Sequence, residues 1–220
     1  EISAKNIIVS TGARSRDIES LKKDGEKIFG YRDAMTLEEQ PKEMVIVGSG
    51  AIGIEFAYFY NALGTDVTVV EFQNGIAPNE DHDISKELEK ILKKKGINIL
   101  TNSKVVSSKI VDKKVKVDIE SDDKKFTIDC DVVLSAVGIK SNIENIGLEE
   151  LGVKIESDKV IVNEYYKTNI DGIYAIGDIV SGPALAHVAS AEGITCVEYI
   201  KGLNPTPIDY NNIPGCTYSK

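Results

Sequence analysis

Cysteine and histidine are scarce in this chain. Cys130, Cys196 and Cys216 stand 66 and 20 positions apart, so they form neither a zinc-ligand spacing nor a dense disulfide framework, and they read as ordinary thiols. His82 and His187 are the only histidines, which leaves no ligand cluster and no metal site to expect. Long apolar runs are also missing. Nothing approaches the roughly 20 residues needed to cross a bilayer, and residues 1–20 lack the charged start, apolar block and small-residue cleavage site of a leader. A cytoplasmic location without membrane association is expected. Positive charge is short as well: the net charge is -9, and the one basic cluster, Lys93-Lys94-Lys95, closes a helical pattern, where it suits the carbonyl end of the helix. Nucleic acid is excluded as a partner, because phosphate neutralisation needs clustered Lys and Arg.

What is present is a chain of 220 residues, 42% apolar, enough for a proper core. It opens on a strand pattern, Asn6–Ser10, and the turn Thr11-Gly12-Ala13. Asp17–Lys27 reads as loop and Asp33–Glu39 as a short helix stopped near Pro41. Met44–Val47 is a buried-type strand followed directly by Gly48, and Ala51–Leu63 suits a helix burying Ile52, Phe56, Phe59 and Leu63. A strand over Asp66–Glu71 and a helix over Ile84–Lys95 come next; the helix places Ile84, Leu88, Ile91 and Leu92 together. Lys104–Val111, Lys114–Glu120 and Lys124–Asp129 predict an antiparallel meander, and Asp131–Ala136 another buried strand. Further on come short strands at Val160–Val162 and Gly172–Ala175 and a helix from about Pro183. Residues 34–142 are therefore expected to form one nucleotide-binding unit, inserted between 1–33 and 143–220 as two pieces of another domain.

The chemistry centres on Gly48-Ser49-Gly50-Ala51-Ile52-Gly53. A GxGxxG pattern alone is weak; here it follows a strand, opens a helix, and is succeeded by Glu71 at the next strand end, 21 positions after Gly50. Gly48 permits the tight turn, Gly50 lets a pyrophosphate approach the backbone, and Gly53 lets the helix pack closely on its strand. The helix start offers unpaired N–H groups and a partial positive charge to the phosphates. Glu71 is placed to accept from ribose hydroxyls and to repel a 2'-phosphate, and Phe72-Gln73-Asn74 brings no Arg to offset it, so the expected ligand is NAD rather than NADP. Glu55 suits the helix dipole or a cofactor contact, and spacing favours the dipole. Asp178, in Tyr174-Ala175-Ile176-Gly177-Asp178, fits a turn and a ligand site equally well, and His187 by itself suits a structural or surface role.

Ser10–Ala13, Val47–Glu55, Val67–Phe72, Ala136–Gly138, Ile176–Asp178 and Gly182–Gly193 together resemble, in order and over the whole chain, the middle of the dihydrolipoamide dehydrogenase family of flavoprotein disulfide oxidoreductases. The resemblance implies an α/β fold: a Rossmann-like NAD-binding domain, a parallel sheet with an antiparallel β-meander crossover, inserted in the remnant of an FAD-binding domain. It implies that Gly48, Ser49, Gly50, Ala51, Ile52, Gly53, Ile54 and Glu55 line the pyrophosphate and nicotinamide side of NAD, with Glu71, Val105 and Gly138 on the rest. Thr11, Gly12, Ala13, Asp178, Ala184, Leu185, Ala186 and His187 become flavin-side positions. Family members pass electrons from dihydrolipoamide through a disulfide and FAD to NAD, as homodimers that meet the lipoyl domain of a 2-oxoacid dehydrogenase complex.

The chain departs from the family after Gly138, where Ile139-Lys140-Ser141-Asn142 stands in place of two arginines, a proline and an asparagine. The family's first flavin-binding glycine motif, its CxxxxC pair and its His-Glu acid-base pair have no counterpart here, so the chain is expected to be an inactive fragment with no catalytic residue of its own. Two other readings stay open: another flavin disulfide reductase or a transhydrogenase, and a regulatory module that uses the nucleotide as a signal.

Overall fold

The computed structural model describes residues 2–121 and 124–219. In chain order its elements are strands β1 (Ile7–Val9), β2 (Ala13–Ser15) and β3 (Ile28–Phe29), helix α1 (Tyr31–Ala34), β4 (Glu43–Val47), α2 (Ala51–Ala62), β5 (Asp66–Val70), α3 (His82–Lys94), β6 (Asn98–Leu100), β7 (Ser103–Val111), β8 (Lys114–Ser121), β9 (Lys124–Cys130), β10 (Val132–Ser135), β11 (Ile139–Ser141), β12 (Ile155–Glu156), β13 (Lys159–Val160), β14 (Ile173–Ala175) and α4 (Ala186–Lys201). They fall into two compact units, one of residues 15–138 with 216–219, the other of 2–14 with 139–215.

The first unit is built on a five-stranded parallel sheet ordered β3-β10-β4-β5-β6. Its strands are buried on both faces, which is why Met44–Val47 reads as an unbroken apolar run. One face carries α2 and α3 over Met44, Ile46, Val67, Val69 and Leu134; the other carries β8 of the antiparallel β7-β8-β9 meander. Along β8, Val115, Val117 and Ile119 alternate inward against Val45, Val47 and Val133, while Lys116 between them is exposed and Asp118 half-buried. Such fully buried aliphatic side chains each contribute about 1.5–3 kcal/mol of transfer free energy.

Two helix faces differ from the sequence pattern. Helix α2 buries Gly53, Ile54, Ala57 and Tyr60, and leaves Phe59 and Leu63 about half exposed at 52% and 53%. The helix starts close on its strand, where Gly53 has no room for a side chain, and that approach turns Ile54, Ala57 and Tyr60 inward and Phe59 outward. Helix α3 buries Ser85 and Leu92, and Ile84 is 63% exposed. The Asp81 carboxylate caps α3 by accepting from the N–H groups of Asp83 and Ile84.

The first cut between units falls at 14/15 and not at the expected 33/34, since β3 pairs with β10 and ties the segment 15–33 to the unit that holds the parallel sheet. The second falls at 138/139, against the expected 142/143. Glu1 and Lys220, the outer bounds of the expected segments, lie outside the described residues. The helix expected over Asp33–Glu39 is the single turn α1.

In the second unit β1 and β14 pair in parallel, Ile7 with Ile173 through Val9 with Ala175. The strand expected at Val160–Val162 is instead one arm of a two-residue hairpin, β12 and β13, turned by Ser157 and Asp158 at φ 47° and 68°. Helix α4 starts at Ala186, after a turn in which the Leu185 N–H donates to the Pro183 carbonyl. Among the described residues no helix is long and apolar enough to cross a membrane.

Candidate functional site

In the parallel sheet the chain runs from β4 outward through β5 to β6, then returns to place β10 on the other side of β4. The reversal leaves a crevice at the carboxyl ends of β4 and β10, the place where open α/β sheets take ligands. Gly48–Gly53 joins β4 to α2 there. Gly48 has φ 99°, and a β-carbon on it would lie 2.5 Å from the Ala136 carbonyl oxygen. A β-carbon on Gly53 would collide with the Gly48 carbonyl oxygen. Both glycines are thus demanded by backbone, Gly48 by the strand beside it and Gly53 by the turn it closes.

Gly50 is different: a β-carbon there would meet nothing within 4 Å. Its freedom from a side chain keeps open the approach to the first turn of α2, which has no side-chain cap and no acidic residue. Those N–H groups are a ready cradle for a pyrophosphate. On this ground the residues fit a dinucleotide.

Glu71 follows β5, 6% exposed. Its Oε2 accepts from the Ser49 N–H at 2.8 Å and the Ser49 hydroxyl at 2.6 Å, and its Oε1 accepts from the Gln73 N–H at 2.8 Å. The sheet register therefore brings the second residue of the glycine turn and the acidic strand end together. Gly138, at φ 105° just past β10, is open at its β-carbon position. The Val105 side chain is 4% exposed within the core under the meander, so what Val105 can offer a ligand is main chain. A bulge between Val105 and Ser107 interrupts the β7–β8 register at that point.

Glu55 sits in the second turn of α2, beyond the first turn where the dipole acts most strongly, and its Oε1 accepts from the Tyr218 N–H at 2.9 Å. Elsewhere in this unit, Ile18, Lys22 and Asp24 face Lys104–Ser108 across an open cavity of about 930 Å³ that takes in none of the glycine turn.

In the second unit the paired ends of β1 and β14 bring Thr11-Gly12-Ala13 near Gly177-Asp178. The Ile176 N–H donates to the Val9 carbonyl at 3.0 Å. Helix α4 packs on this turn, with room for only a 3.4 Å contact between Ala189 and a β-carbon on Gly177. Ala184 and His187 are exposed, Leu185 is half-buried, and α4, like α2, begins with no side-chain cap.

The stretch after Gly138, where the sequence departs from the pattern it resembles, has its own bonding. Asn142 exchanges hydrogen bonds with Thr11: the Thr11 hydroxyl donates to its carbonyl at 2.6 Å, and its amide donates to the Thr11 carbonyl at 3.0 Å. The Ser141 hydroxyl donates to the Asp178 carbonyl at 3.0 Å. Arg14 grips Glu144 with two donors, at 2.8 and 3.1 Å, and with Lys140 lowers the Glu144 carboxyl to about 2.

Two features escape motif reading. One is the Ser49 hydroxyl, signalled only by a polar residue at a tolerant position of GxGxxG. The other is Glu192, 2% exposed in α4, whose carboxylate accepts from the Gly177 N–H at 2.5 Å and the Tyr210 hydroxyl at 2.6 Å. The three cysteines offer no redox pair, and burial pushes the Cys130 thiol up to about 12 and the Cys196 thiol to about 11, far from a nucleophilic thiolate.

A model of the pyridine nucleotide-disulphide oxidoreductase family matches residues 1–193. The chain belongs to this family. Among curated relatives, the dihydrolipoyl dehydrogenase of Rhizobium etli is 46% identical over 98% of the chain and 45% of that protein. The dihydrolipoyl dehydrogenase of Bacillus subtilis is 42% identical over 98% and 46%. The crystal structure of LpdA from Mycobacterium tuberculosis superposes with a TM-score of 0.90 at 30% identity, over 98% of this chain and 47% of that one. The chain spans about half the length of the curated relatives it matches.

Proposed function

We propose that the chain binds NAD at the Gly48–Gly53 turn and is the nucleotide-binding portion of a dihydrolipoamide dehydrogenase. The observation that carries this is the pairing of an uncapped α2 start, open at Gly50, with a fixed carboxylate, Glu71, across the same crevice. The α2 N–H groups hold the pyrophosphate, Glu71 takes the adenosine ribose, main chain at Val105 and Gly138 borders the dinucleotide, and Glu55 reaches the nicotinamide end. Bound NAD supplies the hydride-accepting ring; this chain supplies position and electrostatics.

Thr11-Gly12-Ala13, Asp178 and residues 184–187 are the flavin-side positions of the same protein, whose whole form is a cytoplasmic FAD-dependent homodimer that draws electrons from the lipoyl domain of a 2-oxoacid dehydrogenase complex. These 220 residues carry only part of the flavin-side positions and no CxxxxC redox pair, so the purified chain is expected to hold no flavin, to be colourless, and to form no NADH from dihydrolipoamide. Titration with NADH and NADPH by fluorescence or calorimetry tests the reading. Saturable NADH binding that weakens on Glu71→Ala supports it, and equal or tighter NADPH binding overturns the assignment to NAD.

A further inference from the structure

Glu71 has about four acceptor positions on its two oxygens, as any carboxylate has. Both positions on Oε2 are taken by Ser49, one by the N–H at 2.8 Å and one by the hydroxyl at 2.6 Å, and Gln73 takes one on Oε1. One acceptor position remains, on Oε1. Ser49 is itself held: its side chain is wholly buried and its carbonyl accepts from the Ala77 N–H at 2.9 Å. The serine is therefore a fixed post, and its hydroxyl makes the shortest of the three bonds to the carboxylate.

We propose that the Ser49 hydroxyl is a specificity-determining positioning group, which pins Glu71 so that a single acceptor position faces the adenosine ribose. The proposal rests on the NAD reading above. A ribose hydroxyl brings a hydrogen to that position, whereas a 2'-phosphate brings only acceptor oxygens and negative charge. A pinned carboxylate cannot swing away to relieve the repulsion. With the hydroxyl removed, one oxygen loses a charge-assisted bond and Glu71 gains that freedom. Ser49 acts through Glu71 and need not touch the nucleotide.

The test measures NADH and NADPH dissociation constants for the full chain and for Ser49→Ala, Ser49→Cys, Glu71→Gln and the Ser49→Ala/Glu71→Gln double variant. Ser49→Ala is expected to weaken NADH about tenfold, the scale of a lost hydrogen bond to a charged group, with NADPH unchanged or tighter. Ser49→Cys, slightly larger and a weak donor, should fall between the unaltered chain and Ser49→Ala in its NADPH/NADH ratio. In the Glu71→Gln background, Ser49→Ala should change the NADPH/NADH ratio less than about twofold, since the hydroxyl then has no charge to position. A serine that merely supports the turn would weaken both nucleotides alike, because both share the pyrophosphate; that outcome overturns the proposal, as does a ratio shift that survives in the Glu71→Gln background. No saturable NADH binding by the unaltered chain would overturn the NAD reading and this inference with it.

Discussion

The helices α2 and α4 begin alike and are held differently. Both follow a glycine turn at the carboxyl end of a parallel strand pair or sheet, and neither has a side-chain cap or an acidic residue in its first turn. At α2 the geometry is enforced by backbone: Gly48 lies against Ala136, and Gly53 lies against Gly48. At α4 a side-chain chain does that work, with Glu192 reaching back to the Gly177 N–H while Tyr210 bonds Glu192 and lies 3.0 Å from the Tyr166 hydroxyl. The surroundings match this contrast, since α2 lies on a five-stranded sheet and the strands beside α4 pair only in twos. A helix start enforced by its own backbone is self-contained, and one enforced by side chains depends on residues far along the chain.

The hardest blow to the backbone-enforced start is Gly53→Ala. The added β-carbon meets the Gly48 carbonyl, a main-chain atom already locked between strands, so relief requires the helix to lift from the sheet. A loss of about 3 kcal/mol in thermal or denaturant unfolding is expected, the upper range for overpacking a tight contact, together with loss of NADH binding. Unaltered stability and affinity would show that the start of α2 is more pliant than its contacts imply.

At the side-chain-enforced start the corresponding change is Glu192→Ala, which strands the Gly177 N–H and leaves the Tyr210 hydroxyl with Tyr166 alone. A destabilisation of about 2 kcal/mol is expected, read by hydrogen exchange across α4 and the Gly177 turn. The pH dependence sharpens the point. Burial raises the Glu192 carboxyl above its ordinary value, outweighing the hydrogen bonds from Tyr210 and Gly177 that lower it. The folded state then binds the proton more tightly than the unfolded chain does. The resulting stability is fully present below the ordinary glutamate range and is lost as pH rises through the folded-state value. Protection at α4, taken relative to the intrinsic exchange rate at each pH, should therefore fall over that window in the unaltered chain, and Glu192→Gln should remove that fall.

The same contrast decides what the sequence could reveal. Strand, turn and helix around Gly48–Gly53 are legible because local spacing dictates them, and Glu71 is legible because one helix and one strand of ordinary length carry the chain from the turn to it. The buried face of α2 is not, since Phe59 and Leu63 outweigh Gly53 and Ala57 in any hydrophobic pattern although the small residues are the ones turned inward. β3 and β6, of two and three residues, carry too little pattern to register and exist by pairing with β10 and β5. Glu192 and Tyr210 are 18 positions apart, and nothing in their neighbours marks them as partners.

The mildest change concerns Ser135, at the end of β10 beside Val47 in register. It is 1% exposed, and its hydroxyl is the one buried side-chain oxygen or nitrogen among the described residues without a hydrogen-bond partner. Burying a hydroxyl unpaired costs free energy, so Ser135→Ala should raise stability by about 1 kcal/mol even though it opens a small space. If backbone alone enforces the neighbouring turn, NADH affinity should stay within about twofold of the unaltered chain, because the replaced side chain takes no part in the contacts that fix Gly48. A fall in affinity alongside the gain in stability would mean that the crevice at β4 and β10 also leans on side-chain polarity, and the distinction between the two helix starts would then be one of degree.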